Sequence, residues 1–158
     1  MRVIEGQLGA ASGAFAIVAA RANSSITRTL VDAAVDCLRR HGVEDEAVTV
    51  AWVPGSFELP LVAARIAKQS GVAAVVCLGA IIQGETDHHL HLAAAAASGI
   101  ERASAASGKP ITFGVITANS PEQALARAGL KKNLGWDAAL AALETVDLLR
   151  QINAAEER

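Results

Sequence analysis

The stretch VAAVVCLGAII, residues Val72–Ile82, is apolar almost without interruption. A strand in the middle of a parallel sheet is covered on both faces, so its sequence is a continuous apolar run instead of an alternating one. The uncharged sequence around it, from Gln69 to Gly84, is shorter than the roughly 20 apolar residues that a membrane-spanning helix needs. The run therefore predicts a buried central strand of an α/β sheet.

Three further strand-like runs occur outside this stretch, and helical patterns separate them. The other predicted strands are Ala14–Arg21, Ala47–Val53 and Pro110–Thr117. The predicted helices run from Ser24 or Ser25 to about His41, from Phe57 to about Gln69, from His88 to Ser107, from Pro121 to about Ala128, and from Gly135 to about Asn153. Ser120 is expected to cap the fourth helix, because Ser is a favoured N-cap and Pro a favoured first residue.

Strands that alternate with helices at this spacing predict a parallel sheet with helices on both faces. The expected fold is a three-layer α/β domain over residues 1–158, and the short crossovers favour a flavodoxin-like sheet over a larger Rossmann sheet. Met1–Leu8 is a candidate extra strand within an N-terminal arm of residues 1–12. Residues 154–158 are expected to form a frayed tail.

The composition excludes several classes of protein. The 158 residues are 52% hydrophobic and carry a formal net charge of −2, which is not the pattern of a disordered chain. There is no Tyr, three Phe and two Trp, too few rings for an aromatic platform that binds single-stranded nucleic acid, and no basic excess. The N-terminal sequence lacks the apolar core of a signal peptide. Cys37 and Cys77 lack a CxxC spacing, so we expect buried free thiols in a cytoplasmic protein.

The loop after the central strand is the most informative candidate for a binding site. In open α/β sheets, ligands bind outside the carboxyl ends of the strands, where loops 22–25, 54–58, 83–88 and 118–120 fall. Gly84, Glu85 and Thr86 open a helix whose first backbone N–H groups can bind an anion. No GxxxxGK[ST] or GxGxxG pattern occurs, so nucleotide sites of those types are unsupported.

Three histidines follow this turn. His88 and His91 have the spacing of two metal ligands on one helix face, but a third ligand is lacking, so we expect no metal. His89 and His91 are interpreted as polar surface residues. His88 lies beside the predicted anion site, where it would either cap the helix or transfer protons.

The remaining polar candidates each have two interpretations. Glu58, at the start of a helix, would either compensate the helix dipole or form hydrogen bonds to a polyol or amine. Arg127, Lys131 and Lys132 would either form a solvated basic face or neutralise a phosphate, for which Arg offers bidentate geometry.

Several of these motifs together resemble the 6,7-dimethyl-8-ribityllumazine synthase family, over about residues 4–149. The segments that carry the resemblance are PGSFELP (Pro54–Pro60), LGAIIQGETDHH (Leu78–His89), GKPITFGVIT (Gly108–Thr117), EQALARAG (Glu122–Gly129), KNLGW (Lys132–Trp136) and ALAALE (Ala139–Glu144). They occur in the family's order and spacing, which makes the resemblance far more specific than any single motif.

The resemblance implies an activity, an assembly and a location. The family condenses 5-amino-6-ribitylaminouracil with 3,4-dihydroxy-2-butanone 4-phosphate, losing phosphate and water, without a cofactor or metal. The product is the lumazine precursor of riboflavin. The implied assembly is a cytoplasmic homopentamer, in many members part of an icosahedral shell of sixty subunits. It adds the N-terminal strand to a neighbouring subunit and places the active site between two subunits. Small molecules are the expected partners, with no nucleic acid and no membrane.

The resemblance also implies roles for individual residues. His88 matches the catalytic histidine that moves protons. Gly84, Glu85 and Thr86 match the phosphate-binding turn, and Arg127 matches a phosphate-binding arginine given by the neighbouring subunit. The residues that match the uracil- and ribityl-binding positions are Ala22, Asn23, Ser56, Phe57, Glu58, Ala80, Ile81, Ile82 and Phe113, the last reaching in from the neighbour.

Four departures from the family pattern stand out. Ala22 replaces an aromatic residue that stacks on the pyrimidine, Gln83 replaces a common Arg, residues 89–91 replace a Phe-Asp-Tyr-like stretch, and Leu134 replaces a common Lys. They motivate two alternatives to an active lumazine synthase: a pentamer or shell with weakened or lost catalysis, and a binding module for flavin or ribityl ligands.

Overall fold

The computed structural model describes residues 1–9 and 12–156 as one chain of alternating strands and helices. The strands are β1 (Ala14–Ala20), β2 (Val48–Val53), β3 (Val72–Ile82) and β4 (Ile111–Ala118). The helices are α1 (Ser24–Arg40), α2 (Leu59–Ala67), α3 (His88–Ser107), α4 (Pro121–Ala126) and α5 (Leu134–Glu156). Single turns of 3₁₀ helix at Asp45–Ala47 and Ser56–Glu58 precede β2 and α2.

The four strands form one parallel sheet in the order β2-β1-β3-β4. Val18 of β1 pairs with Ala51 of β2 on one side and with Cys77 of β3 on the other. This order is that of a flavodoxin-like sheet, which confirms the predicted fold class. The central position of Val72–Ile82 explains why that stretch is apolar on both faces.

Two apolar layers cover the sheet. Alternate residues of a strand face opposite sides, so Phe15 and Ile17 pack towards α1 and α5, while Ala16 and Val18 pack towards α2 and α3. The α1–α5 contact is close because a Cβ atom at Gly135 would overlap the backbone of Leu30.

Both cysteines lie within these layers as free thiols. Cys37 and Cys77 are fully buried, as predicted, and burial raises the pKa of each thiol to about 12. A thiol so far from ionisation is a poor nucleophile, so the cysteines serve packing.

The helix ends follow the predicted chemistry with one exception. Ser120 accepts a hydrogen bond from the Gln123 N–H at 3.2 Å, and Gly108 ends α3 in the left-handed conformation. The prediction that Ser24 or Ser25 caps α1 is wrong. Asn23 is the N-cap residue, in the left-handed conformation, and its side chain is used elsewhere.

Residues 1–9 form neither a strand nor a helix within the chain, and they lie against α5. The Gln7 N–H donates to Asp147 at 2.8 Å, and the Gln151 side chain donates to both Asp147 and the Glu5 carbonyl oxygen. The pairing of this arm with a neighbouring subunit stays a prediction. Its residues 10 and 11 lie outside the described residues.

The last helix is longer than predicted. It continues through residues 154–156, which the sequence assigned to a frayed tail, and residues 157 and 158 lie outside the described part. None of the helices in residues 1–9 and 12–156 has the length and apolar character needed to cross a membrane.

Candidate active site

A cleft of about 560 Å³ opens at the carboxyl ends of β1, β2 and β3. It is lined by Ala22, Asn23, Pro54, Gly55, Ser56, Phe57, Glu58, Ala80, Ile81, Ile82, Gly84, Thr86, His88, His89 and Leu92. Three of the four loops predicted to carry the chemistry meet here, because parallel strands deliver their carboxyl ends to one edge of the sheet. The fourth loop, residues 118–120, lies beyond β4, away from this lining.

The first wall of the cleft is the turn between β1 and α1. Asn23 has a φ of 56°, in the left-handed region that Asn tolerates better than most residues. Its side-chain amide donates a hydrogen bond to the carbonyl oxygen of Ala80, 2.8 Å away. The exposed methyl group of Ala22 stands beside it. The turn is therefore tied to the end of β3 through a side chain.

The second wall is the segment between β2 and α2. Ser56 is buried and packs against β3 at Gly79, where a Cβ atom would come within 2.6 Å of the Ser56 hydroxyl oxygen. Phe57 is 62% exposed, so its ring faces solvent at the cleft rim. Glu58 accepts a hydrogen bond from the Gly55 N–H at 3.0 Å. That bond stabilises the local turn and leaves the second carboxylate oxygen of Glu58 for another donor.

The third wall begins where β3 ends. Ala80 and Ile81 are buried, Ile82 is half-buried, and Gly84 and Thr86 continue the lining. Glu85 is exposed in the same turn. This arrangement fits a turn that binds through its backbone while the Glu85 side chain points to solvent.

The three histidines differ in their surroundings. His88 is exposed and lines the cleft, and its backbone N–H donates to the Thr86 hydroxyl oxygen at 3.4 Å. The prediction that His89 is a surface residue is wrong: it is only 6% exposed, lines the cleft, and its Nδ1 lies 3.3 Å from the Thr86 carbonyl oxygen. His91 is exposed, as predicted. Helix α3 thus presents two imidazoles to the cleft.

The charge on the side chains that line the cleft is of one sign, negative. Glu58 is its one carboxylate, and none of its lining residues, which all belong to the described part of the chain, is Lys or Arg. Within residues 1–9 and 12–156, no group of three or more His, Cys, Asp and Glu side chains has the arrangement of a metal site. An anion bound here would rely on backbone N–H groups and imidazoles of this chain.

Phe113 and Arg127 lie away from the cleft. Phe113 is on β4, pairs with Cys77 near the middle of β3, and borders a separate hollow beside α3. Arg127 follows α4 and is exposed. Of the two nearby lysines, Lys132 forms an ion pair with Asp137 at 2.7 Å. One chain therefore does not bring these two predicted residues to the other site residues.

Four lining residues were not among the site residues predicted from the sequence: Pro54, Gly55, His89 and Leu92. Pro54 and Gly55 directly precede the predicted residue Ser56, so their position was available from the chain order. Leu92 is four residues after His88, a spacing that places both on one helix face. His89 had no comparable signal, because the alanine-rich helix that follows it does not show which face is buried.

Comparisons with known proteins agree on one family. The family model described as 6,7-dimethyl-8-ribityllumazine synthase matches residues 12–150. The 6,7-dimethyl-8-ribityllumazine synthase of Halorhodospira halophila is 51% identical over 156 residues, which cover 98% of this chain and 100% of that protein. The enzyme of the same name from Thermosynechococcus vestitus is 48% identical over 145 residues, which cover 89% of this chain and 82% of that protein.

Proposed function

The chain belongs to the 6,7-dimethyl-8-ribityllumazine synthase family, a transferase family of riboflavin biosynthesis, and we propose that the cleft at the strand ends is its active site. In it, 5-amino-6-ribitylaminouracil condenses with 3,4-dihydroxy-2-butanone 4-phosphate. The observation that carries this assignment is the convergence of three separate loops on one cleft, with His88 and Thr86 in one of them. The alternative of an inactive shell is not favoured by the comparisons.

The uracil substrate is placed along the first two walls and the end of β3. The ribityl chain is a polyol, and the Ser56 hydroxyl and the Glu58 carboxylate are groups that bind polyols by hydrogen bonds. Phe57 offers an exposed ring at the rim. Ala22 offers no ring for stacking. Shape complementarity and hydrogen bonds therefore contribute more to the binding of the pyrimidine.

The strand geometry suggests which backbone groups bind the pyrimidine edge. Alternate residues of a strand direct their N–H and C=O groups to opposite neighbours. The Gln83 N–H donates to Ala118 on the β4 side, and the Ala80 carbonyl accepts from Asn23 on the β1 side. Ile82 is two residues after Ala80, so its backbone groups point to the same side of β3, towards β1. β1 pairs with β3 only as far as Leu78. The N–H and C=O of Ile82 are therefore the backbone groups we assign to the pyrimidine.

The phosphate ester is placed at the turn of Gly84, Glu85 and Thr86, before the N-terminus of α3. Backbone N–H groups and the positive end of the helix dipole stabilise an anion there. His88 then lies between the anion and the amine. It accepts a proton as the amine attacks the ketone and returns a proton as water and phosphate depart.

The catalytic unit is proposed to be a homopentamer in the cytoplasm, in which Arg127 of a neighbouring subunit completes the phosphate site and Phe113 closes the uracil site. Two observations support this. The cleft takes no Lys or Arg from its own described residues, and several large apolar side chains are exposed, among them Phe57, Leu61, Leu90, Phe113 and Leu125. A contiguous exposed patch formed by such side chains is a typical association site. Such pentamers would assemble into a larger shell only if their outer surfaces are complementary.

The activity is tested by mixing the protein with both substrates and following the absorbance of the lumazine product. A rate above that of the uncatalysed condensation supports the proposal, and no excess at saturating substrate would overturn it. Light scattering on the same sample gives the assembly: a mass of five subunits or a multiple is expected, and a monomer would contradict the shared site.

A further inference from the structure

Thr86 is held through both of its oxygen atoms by the first two residues of α3. Its side-chain hydroxyl accepts a hydrogen bond from the His88 backbone N–H at 3.4 Å. Its carbonyl oxygen lies 3.3 Å from Nδ1 of the His89 ring. A carbonyl oxygen can only accept, so a hydrogen bond between these two atoms requires the tautomer of His89 that carries a proton on Nδ1.

The rest of this turn has few restraints. Residues 83–88 are all exposed, and a Cβ atom built at Gly84 would meet nothing within 4 Å. The Gln83 N–H is fixed to Ala118 on the β4 side, and the helix fixes the other end. Between these two points, the conformation of the backbone depends on how Thr86 is held.

His89 is suited to hold it, because its ring cannot move freely. It is one of four buried polar residues in the described part of the chain, together with Thr27, Ser56 and Asp147. A buried ring with a fixed orientation restricts the group that it binds more strongly than a solvated side chain does, since a bond shielded from water is not exchanged for a bond to water.

We propose that His89 is a positioning residue for the phosphate-binding turn: through its Nδ1–H···O=C bond to Thr86, it holds residues 84–86 in the conformation that receives the phosphate of the butanone substrate. This inference rests on the proposed function of the cleft and adds a residue that was interpreted from the sequence as surface. His88 moves protons, and His89 shapes the turn beside it.

Three substitutions of His89 and one control substitution separate this role from others. His89→Leu keeps an apolar side chain of similar size and removes the donor. His89→Asn places an amide N–H near the position of Nδ1, whereas His89→Gln places it near Nε2. His91→Leu is the matched control, because His91 is an exposed histidine on the same helix.

Steady-state kinetics with both substrates give the test. For His89→Leu, the KM of the butanone phosphate should rise roughly three- to tenfold, the effect of one lost hydrogen bond. The KM of the ribitylaminouracil should stay within about twofold, since its proposed contacts lie in the first two walls and at Ile82, before the turn of residues 84–86. His89→Asn should restore most of the loss, His89→Gln should not, and His91→Leu should resemble the unmodified protein.

Other results would overturn the proposal. Rescue by Gln instead of Asn would mean that Nε2 contacts the substrate directly. Equal changes in both KM values, or no change for His89→Leu, would leave only a packing role. Thermal unfolding identifies a His89→Leu protein that fails to fold, in which case the Asn and Gln variants carry the comparison. Absence of turnover in the unmodified protein would contradict the proposed function instead, and calorimetry with inorganic phosphate would then test the turn by itself.

Discussion

The side chain of Asn23 crosses from the end of β1 to the end of β3 and donates a hydrogen bond to the carbonyl oxygen of Ala80, 2.8 Å away. The backbone carbonyl of Asn23 meanwhile accepts from the N–H groups of Ile26 and Thr27, which starts α1. One residue thus begins a helix with its backbone and braces the cleft with its side chain. The left-handed φ of 56° allows both.

Asn23→Ala should destabilise the protein by about 2 kcal/mol. Loss of the bond to Ala80 contributes about 1 kcal/mol, and a left-handed residue other than Gly or Asn costs about 1 kcal/mol more. Asn23→Gly loses the bond to Ala80 without the conformational cost. Its free energy of unfolding should therefore lie between those of the unmodified protein and Asn23→Ala. Urea denaturation measures the free energy of unfolding. Equal losses in both variants would show that the backbone conformation contributes nothing.

Gly135→Ala should destabilise the contact between α1 and α5 by about 1–3 kcal/mol, the usual range for overpacking. The added Cβ atom would overlap the Leu30 backbone, which cannot rotate away as a side chain could. The better helix propensity of Ala offsets at most about 1 kcal/mol of this. Gly129→Ala is the control, because its Cβ atom would make only an ordinary 3.5 Å contact with Leu125. If both variants unfold at the same urea concentration, the packing argument is wrong.

Arg127→Ala and His88→Ala should each lower the rate of lumazine formation by about a hundredfold or more, as expected for loss of phosphate stabilisation and of proton transfer. Because Arg127 lies away from the cleft of its own chain, the two variants are expected to complement each other. When equal amounts are unfolded together and refolded as mixed rings, about one quarter of the sites pair an intact His88 with an intact Arg127.

Activity near that fraction of the unmodified rate would place Arg127 in the neighbouring subunit's site. The same variants refolded separately and then combined serve as the control, since their rings contain only one kind of subunit. If the mixed rings are no more active than this control, the shared site is refuted.

Asp147 should make the stability depend on pH at the acid end. Hydrogen bonds from the Gln7 N–H, Arg150 and Gln151 lower the pKa of its carboxyl group to about 2. Because the folded-state pKa lies below the unfolded value of about 4, its contribution is complete above about pH 4 and is lost as the pH falls towards 2. Asp147→Asn should be less stable at neutral pH and lose less stability on acidification. Urea denaturation between pH 6 and pH 3 measures this, with the exposed Glu46→Gln as control.

The sequence was most informative where local chemistry decides the structure. The bounds of β3 were predicted to the residue because a strand buried on both faces cannot carry polar residues. Ser120 was recognised as a cap because its bond is made within one turn. Such features depend on neighbours in the chain.

The sequence was least informative where the partner is distant in the chain. Asn23 displaced the serines as N-cap because Ala80, more than fifty residues away, binds its side chain. The burial of His89 depends on how α3 is rotated against the sheet, and alanines on every side of that helix leave the rotation unspecified. The proposed joint action of Phe113 and Arg127 with the cleft requires a second subunit, and in the sequence only the resemblance to the family predicted it.

The docking of the first residues on α5 brings residues 2–4 next to the last turns of that helix. Arg2, Val3 and Ile4 share a hollow with Gln151, Ala154 and Ala155. Because residues 2–4 already lie beside the end of α5, a short linker that joined these two segments would remove little further conformational freedom. A circular permutant opened in the exposed turn between α2 and β3 would keep every wall of the cleft, so the order in which the elements follow one another is separable from the site they build.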